Sequence, residues 1–271
     1  MGPKNKVELS FVLKSVGRIF SFFFTYGKKT RRTKVFYFIS LFPVFLAVVI
    51  KTSQLLSGEP SMSGIQVFSE MIMTFYLQFL ILILSLFFGT SVCSEEIENK
   101  TLTYLTTRPV PKSAIILGKY AAYSLLVLLM VGIGLVASFF ILNFEKLLDF
   151  SIYPLLLKDF GILSLGVFCY MALFTLMGTF LRRSIIVGLI FSFGWENVIQ
   201  YFPGSTQRFA IVHYLKSLLP THYSGGKFSI LLFQLEPTSA GAAVFMLVLL
   251  TGVFLALACS IFSRREYILE D

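Results

Sequence analysis

Ser94-Glu95-Glu96-Ile97-Glu98-Asn99-Lys100-Thr101-Leu102-Thr103-Tyr104-Leu105-Thr106-Thr107-Arg108-Pro109-Val110-Pro111-Lys112 separates two apolar stretches, Phe68–Val92 and Leu117–Leu142. Each stretch is longer than the ~20 residues a helix needs to cross a hydrocarbon core about 30 Å thick. The block between them carries three glutamates and three basic residues, so it must lie in water. Reading outward, apolar blocks recur at Lys34–Ile50, Phe160–Leu181, Ser184–Phe202 and Ala240–Phe262. The fold class is all-α: a polytopic membrane protein with six transmembrane helices in one domain over 1–271. Residues 1–33 precede the membrane region at 34–262, and 263–271 form a tail. Span five holds Gly188, Gly194, Glu196, Asn197 and Gln200 and is expected to bend or break.

Composition agrees. Of 271 residues, 56% are hydrophobic and 14% charged, against about 25% charged in globular chains. Mean hydropathy is +0.82. The net charge of +9 does not point to nucleic acid, because the basic residues gather on alternate loops. Seventeen of the 23 lysines and arginines lie in the N-terminal segment, the quoted block with Lys119 just after it, the Arg182-Arg183 turn and the tail. The positive-inside rule then puts both termini, and the block, in the cytoplasm. The long basic and amphipathic lead ahead of the first apolar core argues against a cleaved signal peptide.

Ahead of span one, Val12, Val16, Ile19, Phe20 and Phe23 recur with helical period, while Lys14, Arg18, Ser21 and Thr25 take another face. This pattern predicts an amphipathic helix at the membrane interface. In the outer loop from Pro203 to Pro237, Tyr214–Pro220 and Phe228–Phe233 are too short to span. They are read as short helices lying on the outer surface or capping a path.

Within the block, Glu95 to Tyr104 contains no glycine or proline, and Pro109 and Pro111 close it. Ser94 is a suitable N-cap, with Glu95 and Glu96 in the first turn, where the helix dipole favours them. A short amphipathic helix is expected over 94–108. The run from Glu96 through Pro109-Val110-Pro111-Lys112 to Leu117-Gly118-Lys119-Tyr120 resembles the signature between the second and third helices of ABC-2 type transporter permeases. Lys100 stands where many members have glycine, and Pro111-Lys112 replaces Ser-Arg; both departures leave the subfamily open. The six spans, the leading amphipathic (elbow) helix and the outer hairpin fit the same family, and Trp195-Glu196-Asn197 resembles the fifth-helix region of some members.

The resemblance implies a permease subunit of an exporter in the cell's inner (plasma) membrane. Helix 94–108 would be the cytoplasmic coupling helix, gripped by the dimer of a separate ABC ATPase. It implies that Glu95, Glu96, Glu98, Thr101 and Arg108 make the polar contacts and Ile97, Leu102 and Tyr104 the packing ones. A second permease copy, identical or not, completes the complex. The chain is not expected to be an enzyme. Gly27-Lys28-Lys29-Thr30 lacks the upstream glycine of a phosphate-binding loop, so ATP and magnesium belong to the partner and the chain itself holds no cofactor. The alternative is a scaffold or signalling subunit that an ATPase partner drives without transport. A stand-alone carrier fits less well, because charges are sparse in the spans.

Other patterns carry less. Gly132-Ile133-Gly134 lies inside span three and reads as close helix packing. His213 and His222 are nine residues apart with no acidic residue between them, a weak metal pattern. Cys93, Cys169 and Cys259 lie in or beside apolar segments and show no pairing. An ionisable residue inside a span is a functional candidate by default. Glu70 stands at the outer end of span two. Glu196 and Asn197 lie about twelve residues, or roughly 18 Å, from the inner end of span five. These three are the candidate intramembrane polar or substrate-path residues, against a plain structural hydrogen bond from Glu196 to another helix or to the outer hairpin.

Overall fold

Two breaks lay out the N-terminal third. Helix α1 (Pro3–Lys29) stops at Thr30, which is extended (φ −66°, ψ 141°) and turns its hydroxyl back to donate to the Gly27 carbonyl at 2.6 Å. Helix α2 (Arg31–Ser40) stops at Leu41, and α3 (Phe42–Ser57) takes up Pro43 as its second residue. Proline is tolerated there because first-turn amides have no helical partner. These positions belong to a computed structural model that describes residues 3–57, 63–98, 111–181, 183–199, 202, 205–219 and 238–264.

Every regular element among the described residues is helical. Helix α4 (Gly64–Met71), a π-helical stretch π1 (Ile72–Leu80) and α5 (Ile81–Glu98) run on without a break. The return is α6 (Lys112–Leu142), followed by α7 (Tyr153–Phe180), α8 (Ser184–Ile190) and a second π stretch, π2 (Phe191–Glu196). A 3₁₀ turn at Ser205–Phe209, α9 (Ile211–Leu218) and α10 (Ala240–Arg264) follow among the described residues.

Five of these helical segments are long and apolar enough to cross a membrane: Arg31–Leu56, Phe75–Ser94, Lys112–Leu142, Phe150–Phe180 and Ala240–Arg264. The expected fifth span is the short one. Its apolar helix covers Ser184–Glu196, and the backbone stays helical to residue 199. Gly194 does sit at its irregularity, inside π2. No comparable signal marks π1, whose sequence has neither glycine nor proline.

The core is built around α7, which packs against α5 on one side and α10 on the other. Tyr170, Phe174, Leu163 and Val167 of α7 are completely buried, as are Leu84 and Leu86 of α5. Helix α6 backs this pair, and the glycines of span three act in packing as read. A Cβ at Gly132 would lie 2.9 Å from the Phe160 ring, and one at Gly134 2.9 Å from the Ser40 carbonyl. Helices α2, α3 and α10, by contrast, leave broad apolar faces outside. Phe38, Phe45 and Phe245 are more than half exposed.

The apolar stripe of α1 is as read from the sequence. Residues 12, 15–16, 19–20, 23–24 and 27 turn inward. The surface it meets is α6, and it follows that helix lengthwise instead of crossing it at one point. Ile19 and the Val16 carbonyl lie at Gly118, Phe23 meets Tyr123 with ring centroids 6.3 Å apart, and Gly27 abuts Leu126. Gly118 is required by that approach, because a Cβ would sit 2.7 Å from the Ile19 side chain. Lys119 is buried beneath it, its ammonium 4.7 Å from the centre of the Phe23 ring. A second tie joins this segment to α5, where the Arg32 guanidinium donates to the Phe87 carbonyl and, at 3.0 Å, to the Ser91 hydroxyl.

Candidate functional site

The predicted block has two parts in the structure. Glu95, Glu96, Ile97 and Glu98 form the last turn of α5, and Thr101, Leu102, Tyr104 and Arg108 lie outside the described residues. One local expectation is corrected. Ser94 does not cap a new helix. It sits inside α5, and its hydroxyl donates to the Thr90 carbonyl one turn back at 2.9 Å. Serine inside a helix commonly bonds back in this way, and nothing between Val92 and Glu98 breaks the backbone. Helix therefore runs from Gly64 to Glu98, 35 residues or about 50 Å at 1.5 Å per residue. Helix α6, with 31 residues, reaches about 46 Å. Both exceed a hydrocarbon core of about 30 Å, so each of the two helices flanking the block is long enough to cross a membrane with residues to spare.

At the other end of the bundle, the expected polar residues take separate positions. Glu70 is the penultimate residue of α4. Glu196 is 1% exposed and turned inward. Its two carboxyl oxygens accept from the Ile211 amide at 3.1 Å, the Val212 amide at 3.2 Å and the Tyr170 hydroxyl at 3.0 Å. Ile211 and Val212 open α9, whose N-cap, Ala210, offers no side-chain cap. A residue 15 positions back in sequence thus supplies the acceptor that a capping Ser or Asp would give. The hydrogen bonds named as the alternative to a path role are the ones present.

Asn197 differs. Its amide donates to the Ser192 carbonyl at 2.9 Å, inside the widened turn of π2, and the residue lines a cavity of about 940 Å³. The cavity lies between α2, α3, π1 and π2. Its walls are aromatic and aliphatic, among them Phe42, Phe75, Phe79 and Phe193, and its polar lining is Gln78 and Asn197. Both π stretches face it, with the Phe79 and Phe193 rings 6.2 Å apart. π turns inside α-helices occur frequently at functional sites.

The outer loop also departs from expectation. Helix α9 does not lie on the surface. It is packed against α7 and α10, with Ile211, Val212, His213, Tyr214, Leu215, Lys216 and Leu218 buried. Leu215 lies against Gly166 of α7. Burial pushes the Lys216 ammonium down to about 8. His213 pairs through Nε2 with the Thr238 hydroxyl at 3.0 Å, and no group of three metal-ligating side chains occurs among the described residues. His222 and Phe228–Phe233 lie outside them.

Sequence reading missed four participants. Tyr170 sits in an otherwise greasy span, where a buried hydroxyl needs a partner, and could have been matched to Glu196. Gln78 is a polar residue inside span two. Asp159, completely buried near the start of α7, and Lys119, read as a topology charge and as part of the signature but not as a buried residue, complete the set.

A family model described as "ABC-2 family transporter protein" matches residues 27–195, more than half of the chain. The matched region runs from the end of α1 to the penultimate residue of π2, taking in the block and the cavity lining except Asn197. No curated protein matches the chain significantly.

Proposed function

Because the chain belongs to the ABC-2 transporter family, a family of permeases for ABC-type transporters, we propose that this multi-pass membrane protein is the permease of an exporter driven through residues 94–108. The observation that carries this reading is the pair of over-long helices. An unbroken helix that reaches Glu98 and another that begins at Lys112 lead into and out of the polar block, so a force on the block is passed to both. A separate ATPase dimer grips the block, and its closure on ATP moves α5 and α6. By positive-inside counting the block and both termini face the cytoplasm of the inner (plasma) membrane. The polar face of α1, with Lys14 and Arg18, meets the headgroups there.

The cavity between α2, α3, π1 and π2 supports transport over the scaffold reading. Its volume and lining suit an apolar or amphipathic cargo, oriented by Gln78 and Asn197. The exposed apolar flank of α3 beside it faces the second permease copy. Glu196 serves this path indirectly, by seating α9 at the outer end.

Charge reversal at Glu95 and Glu96 tests the coupling. The E95K/E96K variant inserts normally but loses the ATPase on purification from native membrane. Recovery of the wild-type chain alone, stable and active without an ATPase, overturns the proposal.

A further inference from the structure

A second, smaller groove of about 400 Å³ lies on the flank of the bundle between the α1–α2 turn and α6. Its two ends differ in chemistry. One end holds Lys28, Thr33 and Lys34. The floor is Leu126, Leu129, Met130 and Ile133, an i, i+3, i+4, i+7 stripe along one face of α6, with Tyr37 forming the side. Leu129, Ile133 and Tyr37 are each about 40% exposed or more, so the groove opens outward to whatever surrounds the helices.

The polar end is preorganised. The Lys28 ammonium stands 4.0 Å over the Phe24 ring, and Thr33 is held by a 3.0 Å hydrogen bond with Thr30. Neither α2 nor α6 contains an acidic residue, and the turn from 28 to 34 holds Lys28, Lys29, Arg31, Arg32 and Lys34. Arg32 is turned away toward Phe87 and Ser91. The charge at the groove's mouth is therefore positive, and its counter-charge must come from outside these helices.

We propose that this groove binds one anionic phospholipid of the surrounding leaflet, its phosphate between Lys28 and Lys34 and one acyl chain along the Leu126–Ile133 stripe. A free phosphate or a soluble anion would use only the mouth. A zwitterionic lipid would fill the floor but place a choline among lysines. Only an anionic lipid satisfies both ends, as basic pockets between helices do elsewhere. The lipid would bridge the α1–α2 turn to α6. This site depends only on residence in a bilayer, so it stands or falls apart from the coupling proposal.

The test uses the full-length chain, delipidated in detergent and titrated with palmitoyl-oleoyl phosphatidylglycerol, with bound lipid counted by native mass spectrometry. One phosphatidylglycerol per chain is expected to persist. Phosphatidylcholine with the same acyl chains, and phosphatidylglycerol on the K28Q/K34Q variant, are each expected to bind about 20- to 30-fold more weakly, from roughly fivefold for each basic residue near an anionic headgroup. Ile133→Trp, which fills the exposed floor and leaves every charge in place, is expected to lose about tenfold. Glycerophosphoglycerol alone should not displace the lipid. Equal retention of the two lipids, unchanged binding in K28Q/K34Q, or displacement by the free headgroup overturns the proposal. Unchanged binding in Ile133→Trp does so too, because it reduces the effect to surface charge.

Discussion

Replacing Glu196 tests how α9 is held at the outer end. Three donors converge on this carboxylate: the amides of Ile211 and Val212 and the Tyr170 hydroxyl, all at 3.0–3.2 Å. In Glu196→Gln, one oxygen remains. If it sits where Oε2 was, it serves Val212 and Tyr170, and the new amide group faces the Ile211 N–H, donor against donor. The opposite rotamer strands Val212 instead. Either way one buried amide loses its acceptor, at a cost of about 1–3 kcal/mol. Glu196→Ala removes all three bonds and should cost about 3–5 kcal/mol, less than a simple sum because the bonds share one group. The assay is hydrogen exchange at the amides of Ile211 and Val212 in the detergent-solubilised protein. Opening in Glu196→Gln should be faster by roughly 5- to 150-fold, with the loss fading along α9 toward Leu218. Exchange at those two amides that matches wild type in both variants refutes the reasoning. Glu196→Gln also bears on the path: loss of transport with α9 still protected would make Glu196 a path residue.

Further tests follow from other contacts. Gly118→Leu should overpack the α1–α6 seam, already 2.7 Å from a notional Cβ to Ile19, by about 1–3 kcal/mol. Proteolysis after Lys28 and Lys29 should then speed up several-fold, while Gly118→Ala shows a smaller effect. Lys216, with its ammonium brought down to about 8 by burial, binds a proton less readily when α9 is seated than when it is free. Protonation therefore opposes seating most fully below pH 8, and α9 should become more protected as pH rises from about 8 toward the ordinary lysine value near 10.4. Exchange corrected for intrinsic rate measures this, and a fall in protection over that window contradicts it. Tyr76→Phe removes the 3.2 Å hydrogen bond to Ser138 between π1 and α6 and should lower thermal stability by about 1 kcal/mol.

The parts of this fold that were legible in sequence are those governed by local period and length. Val12, Val16, Ile19, Phe20 and Phe23 revealed the half-buried, inward-facing stripe of α1 because a helix repeats every 3.6 residues whatever it packs on. What it packs on was not legible: Gly118 reads as one more small residue until Ile19 is beside it. The long apolar runs located the spans for a similar reason. π1 stayed hidden because Ile72–Leu80 is as good an α-helix sequence as its neighbours, so the widened turn is set by packing and not by propensity. Glu196 was visible as a costly charge. Its partners were not, since they come from 26 residues earlier and 15 residues later in the chain. The Ser94 cap failed because a favourable capping residue does not end a helix whose preceding residues are also helical and buried.

The two moorings of the N-terminal segment have a mechanical consequence. Arg32 fastens the start of α2 to α5 through Phe87 and Ser91, while Ile19 and Phe23 bed α1 into α6 at Gly118 and Lys119. The only slack between these anchor points is the single extended residue Thr30. A sliding of α5 past α6 therefore cannot leave span one behind. It must flex the joint at Thr30 or tow span one along as a passenger, so the wall of the cavity at Leu41 and Phe42 moves whenever the two helices bearing the polar block move apart.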